Sequence, residues 1–258
     1  MGIVIFVGAG PGSADLITLR GAKALARADV VLFDALTDPA LRELAPQARW
    51  VDVGKRGFVA AQKQSAINAM LVASARQHGC VVRLKGGDPS LFGRLEEELE
   101  ALAAAGIDCD VVPGVTAALA AAAASLRPLT RRGRGRSVAF STAMTQSGEL
   151  QASHHADSEV FYMAGRQLAA LSRQLLRAGW AADSPASVVS RAGWPDQLHS
   201  EHAVSMLAQA AVLHAGRPTV VTVGPAAQRV GAAPARTGLR EDSAPGNAPM
   251  QSRHSVSI

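Results

Sequence analysis

The chain has two cysteines and one tyrosine in 258 residues, and aromatic side chains make up only 4% of it. Two thiols, Cys80 and Cys109, are too few for a disulfide-stapled fold, and no cysteine or histidine spacing suits a metal, so no metal is expected. Each thiol lies beside an apolar run, where a buried free cysteine in a reducing cytoplasm is the expectation. Long hydrophobic runs are missing as well. The longest uncharged stretch, Val111 to Leu126, is broken by Pro113 and Gly114 and falls short of the roughly 20 residues a membrane helix needs. No basic segment precedes the first apolar run, Ile3 to Val7, so a secretory leader is not expected. The basic residues are scattered, without an aromatic-basic strip, which argues against nucleic acid as a partner. A soluble, cytoplasmic protein is the expectation.

What the chain does have is small aliphatic side chains and arginine. Its apolar content is 48%, dominated by Ala, Val and Leu, a composition suited to helices packed closely on a parallel sheet. The net charge is +5, and nearly all the positive charge is Arg. The guanidinium fork matches carboxylate and phosphate oxygens, so an anionic partner is expected.

The stretch VVRLKGGDPSLFGR, Val81 to Arg94, reads as a strand, a glycine turn and a helix opening near Ser90. Such a turn presents bare backbone to a ligand at the carboxyl end of a sheet. Gly86 and Gly87 allow close approach, Asp88 adds acceptors, and Pro89 stiffens the exit. The same residues also make an ordinary strand-to-helix turn.

Other strand ends repeat the theme. Ile3 to Val7 runs into Gly8-Ala9-Gly10-Pro11-Gly12. This is G-x-G-P-G and not a G-x-G-x-x-G dinucleotide fingerprint, and Pro11 removes an N–H where a pyrophosphate would need one. An NAD-dependent oxidoreductase is therefore disfavoured, and a ligand without phosphates fits better. Val30 to Phe33 ends in Asp34, and Trp50 to Val53 opens on Gly54-Lys55-Arg56-Gly57. After Arg94 a helix runs to about Ala105, with Glu96, Glu97 and Glu98 expected on its solvated face. Cys109 to Val112 leads through Pro113-Gly114 to Thr116, a natural N-cap, and then to a helix containing almost nothing larger than Ala. Five strands alternating with helices predict a doubly wound parallel sheet.

A basic segment, Arg127 to Arg136, then marks a boundary between two domains, where ligand clefts tend to form. Beyond it the pattern predicts strands at Val138 to Thr142, Val160 to Met163, Ala186 to Ser190 and Thr219 to Val223. Helices are expected at Gln167 to Ala178 and Ala203 to His214. The expected division is 1–127, a linker 128–136, 137–224, and a disordered tail 225–258.

In order, VGAGPG with LITL (Val7 to Leu19), LFDAL (Leu32 to Leu36), VGKRG (Val53 to Gly57), VVRLKGGDPSLFGR, VVPGVTAA (Val111 to Ala118), PLT-RRG (Pro128 to Gly133) and Tyr162-Met163 resemble the tetrapyrrole methylases. The resemblance runs from about Gly2 to Val223. It implies two α/β domains with S-adenosyl-L-methionine and the active site in the cleft between them, in a homodimer. Carried over by position, Pro11, Gly86, Gly87, Asp88, Leu91, Thr116, Ala117, Met163 and Ala192 would contact the cofactor. Asp34 and Lys55 fall at the proton acceptor and proton donor. Arg56, Arg131 and Arg132 would meet an anionic tetrapyrrole. The implied reaction is C-methylation of uroporphyrinogen III to precorrin-2, feeding sirohaem, cobalamin and haem d1 synthesis. A different tetrapyrrole substrate, and a binding paralogue without turnover, stay open. The chain departs from the family at Ala60-Ala61, Leu95-Glu96, Arg131, Ala164 and the Arg191-Ala192-Gly193 turn.

Overall fold

A computed structural model describes residues 2–54, 64–144 and 150–231. The first five strands are β1 (Ile3–Gly8), β2 (Val30–Phe33), β3 (Arg49–Asp52), β4 (Cys80–Lys85) and β5 (Cys109–Val112), forming one sheet in the order β3-β2-β4-β1-β5. Every pairing in it is parallel. Strand residues alternate between faces. Ile5 and Val7 of β1 therefore join one core cluster with Leu25 and Leu41, while Val4 and Phe6 join another with Leu71 and Leu102. An uninterrupted apolar strand is stable only with both faces covered, as β1 is here.

Helix α1 (Leu19–Leu25) lies on the first face, its start capped by Thr18, whose hydroxyl accepts from the Gly21 amide at 3.1 Å. Helices α2 (Gln64–Gln77) and α3 (Leu95–Ala104) cover the second face and pack on each other. Leu71 and Leu102 are fully buried there, each stabilising the fold by about 1.5–3 kcal/mol. Helix α3 opens at Leu95 and not near Ser90, because Phe92 and Arg94 take left-handed backbone that cannot continue a helix.

The second half contains α4 (Ala117–Ala124), β6 (Val138–Thr142), β7 (Ser158–Tyr162), α5 (Leu168–Arg177), β8 (Pro185–Ser190), β9 (Leu198–Ala203), α6 (Ala211–His214) and β10 (Thr219–Val223). Its sheet runs β6-β7-β10-β8-β9, with β6 and β7 parallel and the other pairs antiparallel. Leu168, Leu171 and Leu175 form the buried stripe of α5.

Three expectations are corrected in this half. Strand β9 was not anticipated, because LHSEHA lacks the apolar alternation that marks a strand. The helix expected from Ala203 to His214 is a 3-10 turn, Val204–Ala210, followed by the single turn α6. The chain also stays folded past Val223: Pro225–Ala227 is a 3-10 turn with Ala226 and Ala227 buried.

The alanine helix α4 joins the halves. Ala118, Ala120 and Ala121 pack with Val160, Tyr162, Val189, Ala192 and Val220 of the second sheet. Side chains this small let a helix lie close against a neighbouring strand layer. No helix among the described residues is long and apolar enough to cross a membrane.

Candidate active site

The glycine turns converge at the carboxyl ends of the first sheet. Gly10 and Gly87 form an isolated antiparallel bridge, with Gly87 N donating to Gly10 O at 2.8 Å and Gly10 N to Gly87 O at 3.3 Å. A Cβ added at Gly8 would lie 2.5 Å from the Gly114 Cα, so the first and third turns touch through bare backbone. Asp88 ties the set together. Its Oδ1 accepts from the Ser90 amide and its Oδ2 from the Gly114 amide, both at 2.8 Å.

The second half closes on this constellation through the turn after β8. Ser13 N donates to Gly193 O at 3.0 Å, and a Cβ at Gly12 would lie 2.6 Å from the Gly193 carbonyl carbon. Thr116 sits at the N-cap of α4, yet its side chain caps nothing: its hydroxyl shares a 2.8 Å hydrogen bond with the Tyr162 hydroxyl. Tyr162 ends β7 and packs against Phe92, their ring centroids 5.0 Å apart. Burial pushes the Tyr162 hydroxyl above its ordinary pKa. Met163 follows in left-handed backbone (φ 57°), a conformation that costs a non-glycine residue free energy and is concentrated at functional sites. Leu91 and Ala117 pack on the same cluster as Ala192.

Not every glycine here is demanded by packing. At Gly86 a Cβ would meet nothing closer than the Leu36 Cβ at 3.5 Å, an ordinary contact, and its φ is not positive. The fold itself would accept a side chain there. A ligand lying on the backbone would not.

Asp34 lies one residue past β2, its amide donating to Leu84 O at 3.2 Å. Its carboxylate is paired with a side chain that sequence reasoning did not single out: Arg83 Nη2 donates to Asp34 Oδ1 at 2.7 Å. Arg83 Nε also reaches Glu98 Oε1 at 3.0 Å, and Lys85 Nζ reaches Glu98 Oε2 at 2.6 Å. Gln64 Nε2 adds a third donor to Glu98 at 3.2 Å. Glu98 is therefore not on a solvated face; it is fully buried. Burial and the adjacent Arg83 push the Lys85 ammonium below its ordinary pKa, while Glu98 pulls it upward.

The sequence carries the faces on which these side chains lie, though not which face meets which. Arg83 and Lys85, two apart on a buried strand, face the same way, toward α3. Glu98 falls in the stripe made by Leu95, Leu99 and Leu102, the face α3 turns inward.

The expected contact residues Pro11, Gly86, Gly87, Asp88, Leu91, Thr116, Ala117 and Ala192 are thus brought together, with Met163 at the margin and Asp34 at a neighbouring strand end. Lys55 and Arg56 lie outside the described residues, as do Ala60 and Ala61. Arg131 turns its guanidinium to the Gln228 and Arg229 carbonyls, and Arg132 is exposed. Arg127, expected to open a basic segment at the boundary between two domains, is buried; it donates to Ser125 O and Ala227 O and pairs with Glu201 at 2.5 Å. The reason lies far along the chain. Carbonyls 227–229 follow the last strand of the sheet and take arginine donors in place of a strand partner. Among the described residues no cluster of His, Cys, Asp or Glu could hold a metal.

A two-sheet α/β chain with glycine turns converging beside a held carboxylate is a small-molecule enzyme by its architecture. The sequence profile of the Tetrapyrrole (Corrin/Porphyrin) Methylases matches residues 3–208, and the chain belongs to that family. It is 45% identical over 195 residues to the uroporphyrinogen-III C-methyltransferase of Pseudomonas aeruginosa, covering 74% of this chain and 80% of that one. It is 38% identical over 233 residues to the Synechocystis uroporphyrinogen-III C-methyltransferase, covering 87% and 89%. A crystal structure of the Thermus thermophilus uroporphyrin-III C-methyltransferase complexed with S-adenyl homocysteine superposes with TM-score 0.77 at 34% identity, covering 87% of this chain and 98% of that one. The similar sirohaem synthases are longer proteins, of which the chain spans half or less.

Proposed function

We propose that this chain transfers methyl groups from S-adenosyl-L-methionine to carbon atoms of uroporphyrinogen III, giving precorrin-2, as a cytoplasmic homodimer. The observation that carries the reading is the bare backbone of Gly86-Gly87, paired to Gly10 and lying beside a carboxylate that Arg83 holds in place. The donor set fits the cofactor. It offers glycine backbone, an acidic turn and a proline in the first loop, and no phosphate cradle, as a sulfonium cation without phosphates requires. S-adenosylmethionine, when bound, supplies an electrophilic methyl group.

The chain's residues do the rest. Pro11, Gly86, Gly87, Asp88, Leu91, Thr116, Ala117, Met163 and Ala192 bind and orient the cofactor between the two domains, 1–127 and 137–224. Alignment of two bound reactants accounts for most of the acceleration in such a displacement. Methyl transfer leaves one positive charge on the macrocycle; Asp34 accepts the proton whose loss restores neutrality, and Lys55 stands at the proton-donor position, where it either returns a proton during tautomerisation or fixes a propionate. Arg56 and Arg132 hold substrate carboxylates, while Arg131, expected to do the same, gives its Nη1 and Nη2 to the Arg229 and Gln228 carbonyls and braces the loop instead. The exposed Phe140 and Met144, on and just after the edge strand β6, give a second copy an apolar surface to cover. Sirohaem, cobalamin and haem d1 synthesis are the routes such a product feeds.

The test is anaerobic incubation with S-adenosylmethionine and freshly generated uroporphyrinogen III, followed by mass spectrometry of the oxidised tetrapyrroles. Two added methyls are expected, with Asp34→Asn slower by about 100-fold or more. No transferred methyl, with S-adenosylmethionine still binding by calorimetry, would overturn the reading.

A further inference from the structure

We infer that Arg83 is a positioning residue for methyl transfer: it fixes one oxygen of Asp34 so that the other is presented to the substrate. The inference rests on the reading of Asp34 as the proton acceptor.

Arg83, Lys85 and Glu98 are buried to within 4% of complete, whereas the Asp34 side chain is 32% exposed. Two buried cations facing one buried anion leave an excess positive charge, which is costly in a low-dielectric interior. Asp34 supplies the fourth charge and makes the group neutral. It is also the one member of the four that a bound molecule can reach. The geometry divides its carboxylate. Oδ1 accepts from Arg83 Nη2, while Oδ2 takes no hydrogen bond from any described residue.

Arg83 itself cannot swing. Its Nε is held by Glu98 and its Nη1 donates to the Leu32 and Leu84 carbonyls at 3.4 and 3.3 Å, across the β2–β4 pairing. Three anchors on a planar guanidinium fix the direction of the fourth bond, and so the plane of the Asp34 carboxylate. A lysine at this position has one nitrogen, which cannot span Glu98 and Asp34 together. The quartet therefore links α3 to the acceptor through one rigid side chain, as preorganised sites require.

The experiment compares kcat and KM for methyl transfer to uroporphyrinogen III in wild type, Arg83→Met, Arg83→Lys, Asp34→Asn and the Arg83→Lys/Asp34→Asn double variant. Affinity for S-adenosylhomocysteine is measured alongside by calorimetry. Arg83→Met removes a buried charge and can compromise folding; Arg83→Lys keeps the charge. The expected result for Arg83→Lys is a kcat roughly 10- to 100-fold lower, the scale set by a misaligned reacting group. Its KM and cofactor affinity should stay within about twofold of wild type, because positioning acts on the transition state alone. In the Asp34→Asn background the lysine substitution should add less than about twofold, since its effect acts through Asp34. Multiplicative losses in the double variant, or wild-type kcat in Arg83→Lys, would overturn the inference with the Asp34 reading intact. An Asp34→Asn variant as fast as wild type would remove the reading itself and the inference with it.

Discussion

Replacing Glu98 by Gln tests whether the buried quartet is a charge-balanced unit. The substitution keeps the shape and removes one negative charge. It leaves Arg83 and Lys85, each under 5% exposed, facing Asp34 alone. Three donors now converge on Glu98 at 2.6, 3.0 and 3.2 Å, two of them cationic. Removing one partner of a buried ion pair costs about 3–5 kcal/mol, because the charge left behind is uncompensated. Lys85 offers partial relief. Burial and Arg83 already depress its pKa, and Glu98 is the main group opposing them. Without Glu98 the amine releases its proton at lower pH. For a lysine with a depressed folded pKa, the unfolded chain binds more protons between the folded pKa and the ordinary lysine value of 10.5, so stability rises with pH across that window. Urea unfolding should therefore show Glu98→Gln less stable than wild type by about 3–5 kcal/mol at pH 7. The deficit should narrow as the pH approaches 10. A loss below about 1 kcal/mol that does not change with pH would refute the reasoning, because it would mean the two cations need no buried partner.

Two further outcomes follow from the geometry. Gly12→Ala places a Cβ 2.6 Å from the Gly193 carbonyl carbon, so the first glycine loop must part from the turn after β8; calorimetry should show S-adenosylhomocysteine affinity at least about 10-fold weaker, with the circular dichroism of the fold unchanged. Unaltered affinity would show that this contact does not shape the site. His214 is fully buried between the Ser190 and Ser200 hydroxyls, and burial together with His202, Arg217 and His199 lowers its pKa to about 4. Its contribution, about 3 kcal/mol, is fully present above the ordinary histidine pKa near 6.5 and is lost as pH falls toward 4. Urea midpoints measured from pH 7.5 to 4.5 should fall along that slope, and His214→Gln should flatten it.

By itself, the sequence determined the parallel sheet and the places where it opens to a ligand. Apolar runs such as IVIFV must be buried on both faces, and Gly-Pro and Gly-Asp turns at their ends follow from local backbone preference, so both are legible one residue at a time. Seven ordered motifs likewise carried the family. What the sequence concealed depends on partners far along the chain. Glu98 belongs to a run of three glutamates that looks solvated until its stripe with Leu99 and Leu102 is placed against Arg83 and Lys85 of β4. Thr116 looks like a cap until Tyr162, 46 positions away, takes its hydroxyl. LHSEHA becomes the edge strand β9 because β8 offers it a ladder, and Arg127 is buried because carbonyls past β10 need donors. Local propensity is written in neighbouring residues, whereas charge balance and hydrogen-bond satisfaction are settled only when distant segments meet in a low-dielectric interior.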